Sequence, residues 1–147
     1  MKAKFICSAI FAMMFSMNFA VAQHVTRNLD ENVFFIVEVK IRPNQFDNFV
    51  KVAKKMSEVV RSKEPGALNY EWTISRDSTM CYILERYEST KAAMGHMKVF
   101  NDEFAEKFNE VVEMTGFTIY GKPGPELIEA LGAAAEASRV PVAGFAR

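Results

Sequence analysis

Side chains that can transfer protons or stack on aromatic rings are concentrated in one stretch of the sequence, between residues 70 and 96. The set comprises Tyr70, Trp72, Glu85, Arg86, Tyr87 and His96. An imidazole titrates near neutral pH, so His96 is the candidate base for accepting a proton from a phenol-like substrate. Glu85 lies among apolar neighbours, and a carboxylate buried there needs a partner such as His96. A Glu85–His96 pair would orient the imidazole and make it more basic, so these two residues are the predicted catalytic groups.

Both predicted catalytic residues also have a purely structural interpretation. His96 could hydrogen-bond Glu85 or a backbone carbonyl and only hold a helix against a sheet. Glu85 could instead form an ion pair with Arg86 of a neighbouring chain, across a dimer contact. The sequence leaves these alternatives open.

The other four residues of the set are predicted to bind a substrate. Tyr70 and Trp72 share one face of a strand, where they could stack on a flat aromatic ring and donate hydrogen bonds. Arg86 and Tyr87 could bind an anionic or phenolic group. The alternatives are core or dimer packing for Tyr70 and Trp72, and solvation at the strand edge for Arg86.

Four strands and two long helical segments must position these residues, as judged from the hydrophobic periodicity. Alternating polarity predicts strands at Val33–Arg42, Ala67–Ser75, Thr79–Glu88 and Phe117–Lys122. Helical spacing runs from an N-cap at Asn44 to Pro65-Gly66, and from an N-cap at Ser89 to Thr115-Gly116 with a break near Val99–Asp102. The alternation of side chains along a strand does not show which of its two faces lines a pocket. The opposite face would present Asn69 and Glu71 in place of Tyr70 and Trp72.

The order β-α-β-β-α-β predicts an α+β fold, the ferredoxin-like two-layer sandwich, over residues 33–123. The alternate residues of the first strand are all apolar, as a helix-covered face requires, while Phe34 and Ile36 on its other face indicate a subunit contact. Dimerisation through that face is therefore expected. Residues 124–147 are predicted to form an Ala-rich helix over Glu126–Ala137 and an extended tail, Ser138–Arg147, that grips the partner subunit.

The N-terminus has the features of a secretory signal peptide. Lys2 and Lys4 precede an uncharged, mostly apolar run that ends in Ala20-Val21-Ala22, so cleavage after residue 22 and a periplasmic or secreted location are expected. Residues 23–32 are predicted to be a flexible leader. The remaining chain would carry 16 basic and 18 acidic residues, a net charge of −2 that gives no reason to expect nucleic acid or a membrane surface as partner. Cys81 would be its single cysteine, which excludes an intramolecular disulfide and a cysteine-based metal site.

Three short motifs resemble those of the antibiotic biosynthesis monooxygenase domain family, within the dimeric α/β-barrel superfamily. They are Pro65-Gly66-Ala67-Leu68-Asn69-Tyr70-Glu71-Trp72, Glu85-Arg86-Tyr87-Glu88-Ser89 and Ala92-Ala93-Met94-Gly95-His96. The resemblance covers Val33 to Lys122, and the closing Gly144-Phe145-Ala146-Arg147 is similar to the end of a quinol monooxygenase subgroup. It implies a homodimeric α/β barrel with a pocket between sheet and helices in each subunit.

The resemblance also implies an activity. Known members of the family oxygenate aromatic polyketides or quinols without metal, flavin or haem, so a cofactor-independent monooxygenase acting on a small aromatic substrate and O₂ is expected. A phenol or hydroquinone that loses a proton becomes a strong reductant and can pass an electron to O₂. The protein needs to supply only a base, a hydrogen bond to the anion and a dry cavity.

Two further functions remain as alternatives. The first is a non-catalytic dimer that binds a small aromatic molecule, as a binding or stress protein. The second is haem binding, which occurs in one branch of the superfamily. That branch pairs its histidine with a tryptophan about ten residues earlier and an asparagine on the first strand, and this chain departs from both features.

Overall fold

The computed structural model describes residues 31–143. Strands β1 to β4 span Val33–Ile41, Ala67–Ile74, Met80–Tyr87 and Val112–Gly121, and a short β5 spans Ser138–Arg139. Helices α1 to α4 span Phe46–Lys63, Thr90–Glu103, Ala105–Val111 and Pro125–Leu131, and a 3₁₀ turn at Gly132–Ala137 follows α4. The predicted signal peptide (residues 1–22), most of the predicted leader (residues 23–32) and the end of the predicted tail (residues 144–147) lie outside the described residues. Within residues 31–143, no helix combines the length and the apolar character needed to cross a membrane.

The five strands form one sheet in the order β2-β3-β1-β4-β5. β1 pairs antiparallel with both β3 and β4, β2 pairs antiparallel with β3, and β5 runs parallel to β4. The long helices cover one face of this sheet. This arrangement confirms the predicted α+β, ferredoxin-like fold.

The helix-covered face of β1 forms the centre of the core. The five alternate side chains from Val33 to Ile41 are at most 7 % exposed, as the alternation of apolar residues predicted. An apolar face of this kind must be covered, and the helices cover it with buried side chains such as Met56, Ala93 and Phe108. This face therefore carries the residues that pack against the helices and line the space between the two layers.

The boundaries near the start of β4 differ from the prediction. The break between the two helices falls at Phe104, not within Val99–Asp102, and β4 begins at Val112, not at Phe117. Residues 112–116 pair with the second half of β1 across a β-bulge. The hydrogen bonds of this ladder outweigh the helical spacing of the apolar residues, so the strand begins earlier than the periodicity predicted.

One of the two predicted helix caps is wrong and the other is confirmed. Asn44 lies in the turn before α1 with a φ of 62°, and Gln45 is the residue that precedes the helix. Asparagine tolerates this left-handed conformation better than most residues, which accounts for its position in the turn. Ser89 caps α2 as predicted, because its side-chain oxygen accepts a hydrogen bond of 3.2 Å from the Ala92 backbone N–H.

The C-terminal segment is not the single helix predicted over Glu126–Ala137. α4 ends at Leu131, where Gly132 adopts a φ of 53°, and the chain continues as a 3₁₀ turn. Ser138–Arg139, the start of the predicted tail, pairs with Ile119–Tyr120 of β4 in the same chain. The described part of the tail therefore extends its own sheet.

The sheet face opposite the helices carries apolar side chains that are open to solvent in the single chain. Tyr82, Leu84 and Tyr120 are each 41–42 % exposed, and Phe34 and Ile36 of the central strand are half-buried beside them. Exposed apolar patches of this kind are typical of interaction surfaces. The expected contact of this face with a second subunit stays a prediction.

Substitution of Gly121 is expected to destabilise the fold. Gly121 has a φ of 98°, and a Cβ added there would lie 2.1 Å from the Asn32 carbonyl oxygen. We expect Gly121→Ala to lower the free energy of unfolding by about 2 kcal/mol or more, because backbone strain and steric overlap act together.

The matched control is Gly95→Ala, in the exposed part of α2. A Cβ at Gly95 meets nothing within 4 Å, so this variant should gain about 0.5–1 kcal/mol from helix propensity. Urea unfolding measures both variants. Equal stability of the two would show that Gly121 is under no conformational constraint.

Candidate functional site

A cavity of about 230 Å³ lies between the helix-covered face of the sheet and the helices. Its lining is mainly apolar and consists of Phe35, Val37, Tyr70, Ile83, Glu85, His96, Met97, Phe100, Asn101, Phe108, Met114, Phe117, Leu131 and Ala134. Glu85 and His96 are the lining residues that can carry a charge, and both are at least 94 % buried. The cavity is therefore an apolar space with acid–base groups in its wall.

The strand register and the α2 helix bring these groups together. Tyr70 on β2 pairs directly with Glu85 on β3, so their side chains point to the same face of the sheet. Ser89 fixes the start of α2, and Ala93, which is fully buried, allows that helix to approach the sheet closely. His96 follows one turn later, and its ring centroid lies 5.4 Å from that of Tyr70.

His96 lies between two buried carboxylates. Its Nδ1 atom is 2.9 Å from Oε2 of Glu64, and its Nε2 atom is 3.7 Å from Oε2 of Glu85. The Tyr87 hydroxyl donates a hydrogen bond of 2.7 Å to the same Glu85 oxygen. The side chains of Glu64, Glu85 and His96 are each at most 9 % exposed, so little water screens their charges.

Glu64 is the member of this cluster that the sequence analysis missed. It occupies the C-cap of α1, immediately before Pro65-Gly66, and contacts a histidine 32 positions away in the sequence. The only signal in the sequence is its place at the junction between a helix and a tight turn, where the chain returns to the sheet. A carboxylate at a helix end is usually solvated, so this signal would not have singled it out.

The surrounding charges decide the protonation of the imidazole. Burial acts to lower the pKa of His96. The hydrogen bond that its Nδ1 donates to Glu64, together with the negative charges of Glu85 and Glu64, outweighs burial and raises that pKa above its usual value. The two carboxylates therefore favour the protonated, cationic form of His96. A protonated imidazole donates from both nitrogens and cannot accept a further proton.

The carboxyl and phenol groups of the site are also shifted. Burial raises the pKa of Glu85, although the His96 charge and the Tyr87 hydrogen bond partly offset this effect. Burial and the neighbouring glutamates raise the pKa of Tyr70 and of Tyr87 well above the usual tyrosine range. Both tyrosines thus remain hydrogen-bond donors, and Glu85 is a more basic carboxylate than one in water.

Two of these groups have a buried polar atom without a hydrogen-bond partner within residues 31–143. Among the described residues, the Tyr70 hydroxyl and Oε1 of Glu64 are buried without a hydrogen-bond partner. Buried polar atoms are normally paired. Tyr70 also lines the cavity, so its unpaired hydroxyl is a candidate hydrogen-bond donor to a bound molecule.

The structure brings together part of the predicted site. Tyr70, Glu85 and His96 line one cavity, and Tyr87 lies fully buried behind Glu85. This also shows that the face of Tyr70, and not that of Asn69 and Glu71, is turned towards the helices.

Trp72 and Arg86 lie apart from the main cavity. Trp72 packs on Phe49, with a ring separation of 5.9 Å, and borders a second cavity of about 190 Å³. Its indole nitrogen is buried without a partner in the described structure. Arg86 lies on the opposite sheet face, where Nε donates a hydrogen bond of 2.8 Å to Oδ1 of Asn32 and the guanidinium lies over the Phe34 ring.

Neither Cys81 nor a metal site adds a reactive group to the described part of the chain. Burial raises the pKa of the Cys81 thiol to about 11, so this thiol is unreactive at neutral pH. Across residues 31–143, His, Cys, Asp and Glu side chains form no group of three placed to bind a metal ion.

Removing the carboxylate of Glu64 tests how the cluster holds its proton. In Glu64→Gln the imidazole loses its charged hydrogen-bond partner, which is the largest effect that raises its pKa. We therefore expect the NMR titration midpoint of His96 to move to lower pH. Glu103→Gln is the control, because Glu103 is an exposed carboxylate that pairs with Lys63 at 2.9 Å. An unchanged His96 midpoint in Glu64→Gln would contradict the described hydrogen bond.

Comparison with known proteins supports the fold and the family. A sequence profile described as antibiotic biosynthesis monooxygenase matches residues 32–99. No curated protein sequence matches the chain. Among solved structures, MupZ from Pseudomonas fluorescens is 20 % identical with a TM-score of 0.65, and the match covers 80 % of this chain and 95 % of MupZ.

Two further structures share the fold at lower coverage. A candidate antibiotic biosynthesis monooxygenase from Caulobacter crescentus is 23 % identical with a TM-score of 0.52, over 62 % of this chain and 87 % of that protein. SnoaB, a cofactor-independent oxygenase from Streptomyces nogalater, is 11 % identical with a TM-score of 0.54, over 64 % and 95 % respectively. At these identities the likeness concerns the fold. The profile match and the shared fold make residues 32–99 of this chain similar to the antibiotic biosynthesis monooxygenase family.

Proposed function

We propose that the protein is a monooxygenase that oxidises a hydroquinone or a similar small aromatic molecule with O₂, without a metal or organic cofactor. The observation that carries the proposal is the pairing of Glu85 with His96 in the wall of an otherwise apolar cavity. The similarity of residues 32–99 to the antibiotic biosynthesis monooxygenase family and the cofactor-independent activity named for SnoaB support the same reaction class.

In this proposal Glu85 accepts the substrate proton. Burial raises the pKa of Glu85, which makes its carboxylate a better base towards a phenol. His96 is less suited to this role, because the two carboxylates beside it raise its pKa and favour its protonated form. His96 then stabilises the phenolate as a nearby cation, and the unpaired Tyr70 hydroxyl donates a hydrogen bond to the phenolate oxygen.

The proposed reaction balances without an external reductant. A hydroquinone and O₂ give a hydroxyquinone and water: one oxygen atom enters the ring, and the substrate itself supplies the four electrons that reduce O₂. The phenolate passes one electron to O₂, and the two radicals combine at a ring carbon. In this proposal the apolar lining lowers the local dielectric constant around the phenolate, which strengthens the interaction of the phenolate with His96 and Tyr70.

We further propose that the functional unit is an exported homodimer. The exposed Tyr82, Leu84 and Tyr120 on the open sheet face support a contact with a second copy. The signal-like sequence at residues 1–22 supports export to the periplasm or the medium. Leu84→Lys places a charge in this face and is expected to shift the protein from dimer to monomer in light scattering.

The apolar cavity also favours a second candidate, the non-catalytic binding of a small aromatic molecule. Apolar lining with a few polar groups is typical of small-molecule sites in general. Haem fits the site poorly, because a volume of about 230 Å³ lies below the range of pockets that hold larger ligands and both His96 nitrogens face carboxylates.

Oxygen uptake distinguishes the two candidates. The purified protein is mixed with a panel of hydroquinones, and the rate is compared with autoxidation in buffer, with and without a chelator. The monooxygenase proposal predicts uptake above autoxidation that the chelator does not change. Binding of the same compounds without any uptake would favour the non-catalytic candidate.

A further inference from the structure

The C-terminal segment forms part of the cavity wall, although it lies beyond the residues matched by the family profile. We call residues 131–134 the entrance strap. Leu131 and Ala134, its first and last residues, line the cavity. Ala134 is exposed, as are the lining residues Asn101 on α2 and Met114 on β4. These three exposed residues mark the mouth, so the strap forms one side of the opening.

Both ends of the strap are attached to the domain. On its N-terminal side, Leu127 is fully buried and the Gly124 backbone N–H donates a hydrogen bond of 2.8 Å to the Thr90 side chain. On its C-terminal side, Ser138–Arg139 pairs with β4. A segment held at both ends has a defined distance from the opposite wall, and can therefore limit what passes.

The entrance strap has small side chains at three of its four positions. Gly132 has a φ of 53° and ends α4, which turns the chain across the mouth. Ala133 and Ala134 follow with minimal side chains. Ala134 is turned to the cavity, whereas Ala133 is exposed and does not line it. One additional large side chain at position 134, and not at 133, would narrow the opening.

The volume behind the strap indicates the size of the ligand. The cavity measures about 230 Å³, and an apolar cavity of about 150 Å³ is known to bind benzene. One aromatic ring therefore fits with space to spare, and two fused rings approach the limit. Larger ring systems would have to displace the strap.

We propose that the entrance strap sets the size limit of the ligand, admitting phenols and hydroquinones of one or two rings and excluding larger ones. The phenolic nature of the ligand rests on the proposed function. The size limit rests on the strap and on the cavity volume alone.

Binding of redox-stable phenols tests the size limit without requiring catalysis. Calorimetry measures phenol, 2-naphthol and 1-hydroxypyrene with wild type, Ala134→Trp and the matched control Ala133→Trp. We expect wild type to bind phenol and 2-naphthol but not 1-hydroxypyrene. Ala134→Trp should bind 2-naphthol about tenfold or more weakly with a much smaller effect on phenol, because overfilling a packed site is costly. Ala133→Trp should match wild type.

A second variant tests the limit in the opposite direction. Leu131→Ala removes bulk from the strap and should admit 1-hydroxypyrene, with retained folding checked by circular dichroism. The strap proposal would be overturned if both Ala134→Trp and Leu131→Ala bound the probes with wild-type affinities. It would also be overturned if Ala134→Trp lost affinity equally for phenol and 2-naphthol. Neither result would bear on the proposed reaction. Size-selective binding without oxygen uptake would overturn the oxygenase and support the strap. Failure of wild type to bind any probe would overturn both.

Discussion

Replacing Glu85 by glutamine is expected to lower the rate of oxygen uptake with a hydroquinone by about 10²-fold or more, the usual contribution of a positioned base. Glutamine keeps the size of the side chain and can still accept the hydrogen bond from Tyr87, which is 2.7 Å long in the native protein. It cannot accept the phenolic proton. The loss should therefore appear in kcat, with KM changed much less.

Glu58→Gln is the matched control for this experiment. Glu58 is an exposed glutamate of α1 whose ion pair with Lys55 is on the surface, so its loss should leave the rate unchanged. Full activity in Glu85→Gln would remove Glu85 from the proton transfer and return His96 to consideration. A loss confined to KM would mean that Glu85 binds the substrate and does not act as the base.

Replacing His96 by leucine is expected to destabilise the protein by about 3–5 kcal/mol near pH 7, because removal of one partner leaves buried charges uncompensated. The imidazolium is the cation beside Glu64 and Glu85, which are 2.9 Å and 3.7 Å from it. Urea unfolding of the variant and the wild type at about pH 5 and about pH 7 measures the effect.

The destabilisation should be smaller near pH 5. The pKa of Glu85 is already raised, and loss of the imidazolium raises it further. A carboxyl whose folded pKa exceeds its unfolded value of 4.5 contributes full stability below that value and loses it as pH rises through the folded pKa. In wild type His96 is protonated in both the folded and the unfolded state below pH 6.5, its unfolded pKa, because its folded pKa is higher. The free energy of unfolding of wild type should therefore change less between about pH 5 and about pH 7 than that of the variant. The same difference in stability at both pH values would contradict the charge pairing, and His96→Gln repeats the test if the leucine variant does not fold.

The fold was predictable wherever local pattern and tertiary structure agree. The apolar alternation of Val33 to Ile41 and the cap at Ser89 depend on short-range spacing, and the structure confirms both. The start of β4 depends on pairing with β1, which is distant in the sequence, so helical spacing misplaced it. The end of α4 depends on the positive φ of Gly132, and the Ala-rich sequence around this residue predicts a helix that continues through it.

The site was predictable only in part, for a related physical reason. Glu85 and His96 stand out because charged residues among apolar neighbours require partners. Glu64 does not stand out, since its burial follows from the path of the chain at the end of α1. Strand parity placed Glu85 and Arg86 on opposite faces, but only the packed helices show that the face of Glu85 borders the cavity and that Arg86 lies outside it.

The most direct test of the central claim is the fate of the oxygen atoms. The protein is supplied with a one-ring hydroquinone under ¹⁸O₂, and the product is reduced before its carbonyl oxygens exchange with water. Mass spectrometry is expected to find a hydroxyquinone with one ¹⁸O atom bound to a ring carbon. Wild type should form this product faster than buffer alone, whereas Glu85→Gln should form it no faster than buffer alone. A quinone without ¹⁸O would show an oxidase and not a monooxygenase. The absence of product above autoxidation would contradict catalysis and leave a protein that binds small aromatic molecules.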